Sequence, residues 1–183
     1  MTMKNLKTLI ITLTFLSLES YAGWFLPEIV ICDDTDQVQK RGGVIYLPNQ
    51  SDGFTGLNSC IWTKNEQQSS LGNYLDGLKD GKWTEWYDNG QKKSEGDYED
   101  GKKDGVYKEW YKNGQQSSLG DYSDGSKDGK WTRWFRHGQK WLEGNYKDGK
   151  EVGVWSSWWS DGQKESEESY KKRKKEGTYP LFQ

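Results

Sequence analysis

The sequence has 183 residues and a formal net charge of −2, with 26 Lys and Arg against 28 Asp and Glu. This balance excludes the strongly basic surface of a typical nucleic-acid-binding protein. The mean hydropathy of −1.09 would suit a disordered chain, but a 15% aromatic content, with eleven Trp, excludes that class. No Ala follows Ala22, which excludes a helical domain with a Leu/Ala core.

The N-terminus has the three-part layout of a secretory signal peptide. Lys4 and Lys7 precede an apolar run from Leu9 to Leu18, and Ser20-Tyr21-Ala22 supplies small residues for cleavage. Retention as a membrane anchor is the alternative, but a bilayer-crossing helix needs ~20 apolar residues and this run is shorter. We therefore predict that residues 1–22 are a signal peptide and that the protein is exported, to the periplasm or the extracellular space.

Two cysteines, Cys32 and Cys60, lie in the exported part of the chain. In an oxidising compartment an even pair is most simply a disulfide. Such a staple would close the N-terminal region and contribute roughly 3 kcal/mol in the chain-entropy model. The alternative is a redox pair, which lacks the CxxC spacing that tunes a thiol pKa.

A 24-residue repeat occupies most of the remaining sequence. The motif Gly-(Asn/Asp)-Tyr begins at Gly72, Gly96, Gly120 and Gly144. Each copy continues with an Asp-Gly pair, a second Gly, two aromatic positions three residues apart and a Gly-Gln pair. The two aromatic positions are filled by Trp83, Tyr107, Trp131 and Trp155, and by Trp86, Trp110, Trp134 and Trp158. Repetition at this period is the signature of a stacked-repeat architecture.

Each repeat reads as two short strands and two tight turns. Lys82 to Tyr87 favours a strand, Asn89-Gly90 favours a hairpin turn, and Lys92 to Tyr98 favours the return strand. No room remains for a helix or a crossover, so successive strands must pair antiparallel. We predict an all-β fold, an antiparallel β-meander of repeated hairpins with about nine to eleven strands.

The repeat also defines the predicted units of the chain. After the signal peptide these are an irregular cap, 23–52, and a degenerate repeat, 53–71. Four full repeats follow at 72–95, 96–119, 120–143 and 144–167, and a truncated capping repeat at 168–183. Atypical terminal units are expected because stacked repeats need end units with a closed or polar face.

The unit Tyr-x-Asp-Gly-x-x-Asp-Gly-x-Trp-x-x-Trp-Tyr-x-x-Gly-Gln resembles the variant MORN repeat, named for membrane occupation and recognition nexus. That repeat is found in bacterial proteins often labelled YwqK-family antitoxins. The resemblance covers residues 72–168 well and the flanks to about 53 and 179 weakly. It implies a single-layer twisted sheet used for binding, and it brings no catalytic residues.

The aromatic side chains are the candidate binding residues. A single-layer sheet cannot bury both faces, and contiguous exposed aromatics usually mark a binding surface. The alternative is that twist and Lys stems cover the rings. The candidates are Trp83, Trp86, Trp110, Trp131, Trp134, Trp155 and Trp158.

No catalytic, cofactor or metal site is predicted. His137, the single His, occupies the turn position filled elsewhere by Asn89, Asn113 and Asp161, so a turn role explains it. The recurring Asp residues beside the Asp-Gly turns are best explained as Asx-turns that cap their own backbone. The spacing matches no known calcium loop, and no nucleophile or nucleotide motif is present.

A basic run near the C-terminus has two interpretations. On an edge strand these side chains would block sheet-to-sheet aggregation. They could instead contact an anionic surface such as phospholipid headgroups or a cell-wall polymer. The run is Lys171, Lys172, Arg173, Lys174 and Lys175.

Taken together, the residues favour an exported, non-enzymatic scaffold that binds a protein or a membrane surface through an aromatic sheet face. A cell-wall or carbohydrate-binding module is the main alternative, because Trp and Tyr beside Asp, Asn and Gln suit sugar stacking. An antitoxin-like binding protein is a further alternative, but neutralising a cytosolic toxin conflicts with export.

Overall fold

The computed structural model describes residues 30–32, 38–62 and 64–170. The predicted signal peptide, residues 1–22, and the basic run at 171–175 lie outside the described residues. The strands are β1 (Val30–Ile31), β2 (Gln39–Arg41), β3 (Val44–Tyr46), β4 (Gly56–Ile61), β5 (Gln68–Leu75), β6 (Leu78–Trp86), β7 (Lys92–Glu99), β8 (Lys102–Trp110), β9 (Gln116–Ser123), β10 (Ser126–Trp134), β11 (Lys140–Lys147), β12 (Lys150–Trp158) and β13 (Lys164–Tyr170).

Eleven of these strands form one sheet in the order β1-β4-β5-β6-β7-β8-β9-β10-β11-β12-β13. From β4 onward each strand pairs antiparallel with the next strand in sequence. The short β1 is the exception and pairs parallel with β4. The predicted all-β meander is therefore confirmed.

The Asp-Gly turns, which join consecutive strands at one end of the sheet, have backbone dihedral angles that few residues adopt. Asp76 and Gly77 both have positive φ, at 50° and 79°, and Asp124 and Gly125 do the same at 47° and 80°. Positive φ at both central residues is the type I′ hairpin turn, whose twist matches that of the flanking strands. This requirement explains why Asp-Gly recurs in every repeat.

Aromatic rings form a row on one face, which we call the ring ladder. Eight of its nine neighbouring pairs meet edge to face, with centroids 5.0–6.3 Å apart, and the pair without this contact is Tyr98 and Tyr107. Edge-to-face contact is the favoured geometry for aromatic pairs, and it adds to the free energy of burying the rings. The ladder consists of Phe54, Tyr74, Trp83, Tyr98, Tyr107, Tyr122, Trp131, Tyr146, Trp155 and Tyr170.

Two details of the ladder differ from the simplest expectation. Each Trp would be expected to face its equivalent two strands away, but a Tyr of the intervening strand lies between, as Tyr146 does between Trp131 and Trp155. Lysine side chains also cover the rings, since Lys127 Nζ lies 4.2 Å from the Trp131 ring centre. Burial lowers the pKa of Lys127, and the nearby charge of Arg133 acts in the same direction.

The N-terminal region closes the first end of the ladder. Ile31 and Ile45 pack with Phe54, Tyr74 and Trp83 in one buried cluster. The β2–β3 hairpin is tied to the first Asp-Gly turn, because Ile45 N donates to Gly77 O at 2.9 Å. The predicted disulfide between Cys32 and Cys60 is present and links the end of β1 to β4.

Polar side chains connect consecutive repeats at both ends of the strands. Asn89 Nδ2 donates to Lys112 O at 2.8 Å, and Asn113 Nδ2 donates to Arg136 O at 2.8 Å. Asp104 Oδ2 accepts from Asp124 N at 3.0 Å. The expectation that such Asp residues cap their own backbone is therefore wrong for Asp104, whose carboxylate holds the turn of the next repeat.

Candidate interaction surface

The seven candidate tryptophans divide between the two faces of the sheet. Trp83, Trp131 and Trp155 belong to the ring ladder and are buried, with at most 5% of their surface exposed. Trp83 Nε1 donates to Asn73 O at 2.9 Å, and Trp131 Nε1 donates to Asp121 O at 3.1 Å. These three side chains form the core and are not accessible to a partner.

The other four candidates form what we call the tryptophan stripe, Trp86, Trp110, Trp134 and Trp158. They lie on the opposite face, because side chains alternate along a strand, and all four are half-buried. Lys92 Nζ lies 5.8 Å from the Trp110 ring centre, and Lys140 Nζ lies 5.1 Å from that of Trp158. The stripe therefore presents partly covered indoles beside ammonium groups.

Two salt-bridge clusters lie beside the stripe. Glu95 contacts Lys82 Nζ at 3.3 Å and Lys92 Nζ at 2.6 Å. The equivalent Glu143 contacts Lys130 at 3.2 Å and Lys140 at 2.8 Å. The hydrogen bonds from Lys92 and Lys140 are the main reason that the pKa values of Glu95 and Glu143 are lowered.

The repeat between these clusters is apolar at the same positions. Val106 occupies the position of Lys82 and Lys130. Leu119 occupies that of Glu95 and Glu143, and Gln116 that of Lys92 and Lys140. Val106 is 46% exposed and Leu119 is half-buried. We call the surface formed by Val106, Leu119 and Trp134 the apolar slot.

The slot lies in a shallow groove of about 520 Å³. Lys108, Thr132 and Gly120 complete its floor and walls. Lys130, Lys140, Glu143 and Asp121 form its polar rim. The groove thus combines an apolar floor with a charged rim of two lysines and two carboxylates.

The sequence pattern predicts the positions of the stripe but gives no sign of the slot. The candidate tryptophans include both core and surface residues because both aromatic positions repeat with the same period. Val106 and Leu119 do not stand out as single residues. The signal that could have found them is their departure from the Lys and Glu of the neighbouring repeats.

The described residues lack both a metal-binding cluster and a membrane-spanning helix. Within the described residues, no group of three His, Cys, Asp or Glu side chains is placed to hold a metal ion. His137 is exposed in its turn, and its Nε2 lies 2.8 Å from Ser160 O, the same link to the next repeat that Asn89 and Asn113 make. No helix in the described part of the chain is long and apolar enough to span a membrane.

The family model for the MORN repeat variant matches four consecutive segments, residues 79–100, 103–124, 127–148 and 151–172. From the first to the last, these matches extend over residues 79–172, just over half of the chain, and the structure has the hairpin architecture that the repeat implies. The chain belongs to the MORN repeat variant family, whose repeats are generally non-catalytic modules that bind proteins or membranes. A search of curated proteins found no match.

Proposed function

We propose that this protein is an exported, non-enzymatic scaffold that binds a protein partner through the face carrying the tryptophan stripe. The observation that supports it most directly is the division of the tryptophans. The ring ladder accounts for the stability of the sheet, whereas the stripe leaves four indoles partly exposed. Trp is enriched among the residues that dominate binding energy in protein interfaces.

Export is supported by two independent features. The first residues have the layout of a signal peptide. The Cys32–Cys60 disulfide is a bond that persists in oxidising compartments and is rare in the cytosol. Both features fit a protein that works in the periplasm or outside the cell.

The proposal is tested by a pull-down from envelope extract with the purified protein and a Trp110→Ala/Trp134→Ala variant. The matched control is Trp159→Ala, because Trp159 is 49% exposed and lies outside the stripe. Circular dichroism and an unfolding curve establish that each variant is folded. We expect the same captured protein with wild type and Trp159→Ala, and its loss with the double variant.

A carbohydrate-binding function is the second candidate. The stripe repeats at every second strand, about 9.5 Å, and regularly spaced indoles suit stacking against a glycan chain. Capture of polysaccharide without protein, lost in the same double variant, would support this candidate and contradict the protein scaffold. Equal capture by wild type and the double variant would contradict both.

A further inference from the structure

We propose that the apolar slot binds an extended acidic peptide, with an aliphatic side chain seated on Leu119 and a carboxylate on either side of it. This inference rests on the proposed scaffold function and specifies the chemistry of the partner. It arises in the repeat between the two salt-bridge clusters, where their charged pattern is interrupted.

The floor of the slot is defined by strand register. Leu119 on β9 lies opposite Lys108 on β8 and opposite Thr132 on β10. Val106 and Trp134 flank it diagonally within the same groove. An aliphatic side chain placed here would contact three apolar side chains, whereas the positions equivalent to Val106 and Leu119 carry Lys and Glu in the two salt-bridge clusters.

The electrostatics of the surrounding face favour an anionic partner. Five lysines surround two glutamates, since Lys82, Lys92 and Lys108 face Glu95, and Lys130 and Lys140 face Glu143. Lys108 is directly opposite Glu95 in the sheet, but that carboxylate is already paired with two other lysines. Lys108 itself makes no ion pair with any residue that the structure describes.

Exposed carboxylates temper this excess, and Asp97 lies opposite Lys82 in the sheet. Asp121 lines the groove opposite Val106 and so marks one end of the slot. The cationic groups lie on the sides of the slot, along the direction that crosses the strands. A bound peptide is therefore expected to cross the strands, from the Glu95 cluster to the Glu143 cluster.

The spacing of the clusters sets the length of the peptide. Glu95 is on β7 and Glu143 is on β11, four strands apart, which corresponds to ~19 Å. An extended chain advances ~3.3 Å per residue, so two carboxylates six positions apart span the same distance. The aliphatic residue then lies midway between them.

The test uses a fluorescently labelled peptide, Gly-Glu-Ser-Gly-Leu-Gly-Ser-Glu-Gly, and the purified protein with its disulfide formed. Fluorescence anisotropy measures its binding. Two control peptides replace the central Leu with Ala, or both Glu with Gln. We expect each control peptide to bind about tenfold more weakly, and binding of the parent peptide to weaken with added salt.

The decisive variant is Val106→Lys/Leu119→Glu, which installs the residues that the neighbouring repeats carry at these positions. It is expected to fold as wild type does, because Lys82–Glu95 and Lys130–Glu143 show that the pair fits the sheet. Peptide affinity should fall about tenfold or more. The control is Val154→Lys, a 50% exposed valine at the equivalent position two repeats later, which should leave affinity unchanged.

The outcomes separate this proposal from the scaffold function. Peptide binding that survives in the folded Val106→Lys/Leu119→Glu variant, or that is equal for the Gln-substituted peptide, would overturn the slot proposal. Binding of phosphatidylglycerol vesicles in place of the peptide would overturn it as well. If envelope capture is lost with Trp110→Ala/Trp134→Ala but retained with Val106→Lys/Leu119→Glu, the scaffold stands and the slot proposal fails.

Discussion

Gly120 lies directly against the indole of Trp131, and a β-carbon added to Gly120 would come within 2.2 Å of ring atom Cδ2. The same relationship joins Gly72 to Trp83 and Gly144 to Trp155. The Gly of the repeated Gly-(Asn/Asp)-Tyr motif is therefore required by ring packing rather than by a turn. Each of these three indoles rests on the bare backbone of the preceding strand.

We predict that Gly120→Ala destabilises the protein by about 3 kcal/mol, because the methyl group must displace the ring or the strand. Urea unfolding followed by Trp fluorescence measures the loss. The control is Gly81→Ala, where a β-carbon would meet nothing within 4 Å although φ is +65°. Gly81→Ala should lower the free energy of unfolding by about 1 kcal/mol, because only backbone strain at positive φ opposes the methyl group. Equal losses in the two variants would contradict the packing explanation.

The fold could be predicted from the sequence because its period, turn residues and strand patterns agree with one another. The Asp-Gly turns illustrate this, since Asp100 and Gly101 have the positive φ that type I′ geometry requires. The disulfide could be predicted for a similar reason, as an even pair of cysteines behind a predicted signal peptide is most simply a disulfide.

The site could be predicted only in part. The 24-residue period shows that the positions of Trp131 and Trp134 are aromatic in every repeat. It does not show which of the two rows of rings is buried. That depends on Tyr146 and Lys127, which pack on Trp131 from strands β11 and β10. The slot could not be predicted for a different reason. Its apolar character depends on which residues lie beside Leu119 on the neighbouring strands, Lys108 and Thr132, and the sequence of one repeat does not give that cross-strand register.

The Cys32–Cys60 bond should stabilise the end of the sheet that the N-terminal residues cover. It closes a loop with a sequence separation of 28, and loops of this length contribute roughly 3 kcal/mol in the chain-entropy model. We expect Cys32→Ser/Cys60→Ser to lower the free energy of unfolding by about that amount, measured by urea titration. Cys60 is 1% exposed, so reductant should act slowly on the folded wild type. A variant as stable as wild type would show that the bond has no structural role.

The two salt-bridge clusters make stability depend on pH in a defined direction. Hydrogen bonds from Lys92 and Lys140 lower the pKa values of Glu95 and Glu143 in the folded state. A carboxyl with a depressed pKa stabilises the fold above its unfolded pKa of about 4.3, and this contribution is lost as the pH falls through the folded value. The lysines are well exposed, so each cluster should contribute about 1 kcal/mol or less.

Unfolding curves at neutral pH and at acidic pH, with Glu95→Gln/Glu143→Gln beside wild type, measure this contribution. The double variant should be less stable at neutral pH, and the difference should shrink as the pH falls below about 4. Added salt should also reduce the difference at neutral pH. A difference that does not change with pH would mean that the carboxylates act through packing and not through charge.

The third repeat lacks a hydrogen bond that the first two possess. Tyr87 OH donates to Trp110 O at 2.9 Å, and Tyr111 OH donates to Trp134 O at 2.7 Å. Phe135 occupies the equivalent position, where its ring stacks on His137 with centres 5.5 Å apart, and it has no hydroxyl to donate. We therefore expect that removing this hydroxyl from one repeat lowers the stability of the fold and that adding it to the third repeat raises it.

We expect Tyr111→Phe to destabilise the protein by about 1 kcal/mol, because a half-buried carbonyl loses its donor. Phe135→Tyr should stabilise it by up to about 1 kcal/mol, since the new hydroxyl can reach Trp158 O by the geometry of the earlier repeats. Thermal and urea unfolding of the two variants and of the Tyr111→Phe/Phe135→Tyr combination measure the effects. Tyr111 OH bonds the carbonyl of the peptide that joins Trp134 to Phe135, so the two sites are neighbours and the combination measures the coupling between them. A destabilising Phe135→Tyr would show instead that the stacked Phe135–His137 pair has requirements of its own that outweigh the hydrogen bond.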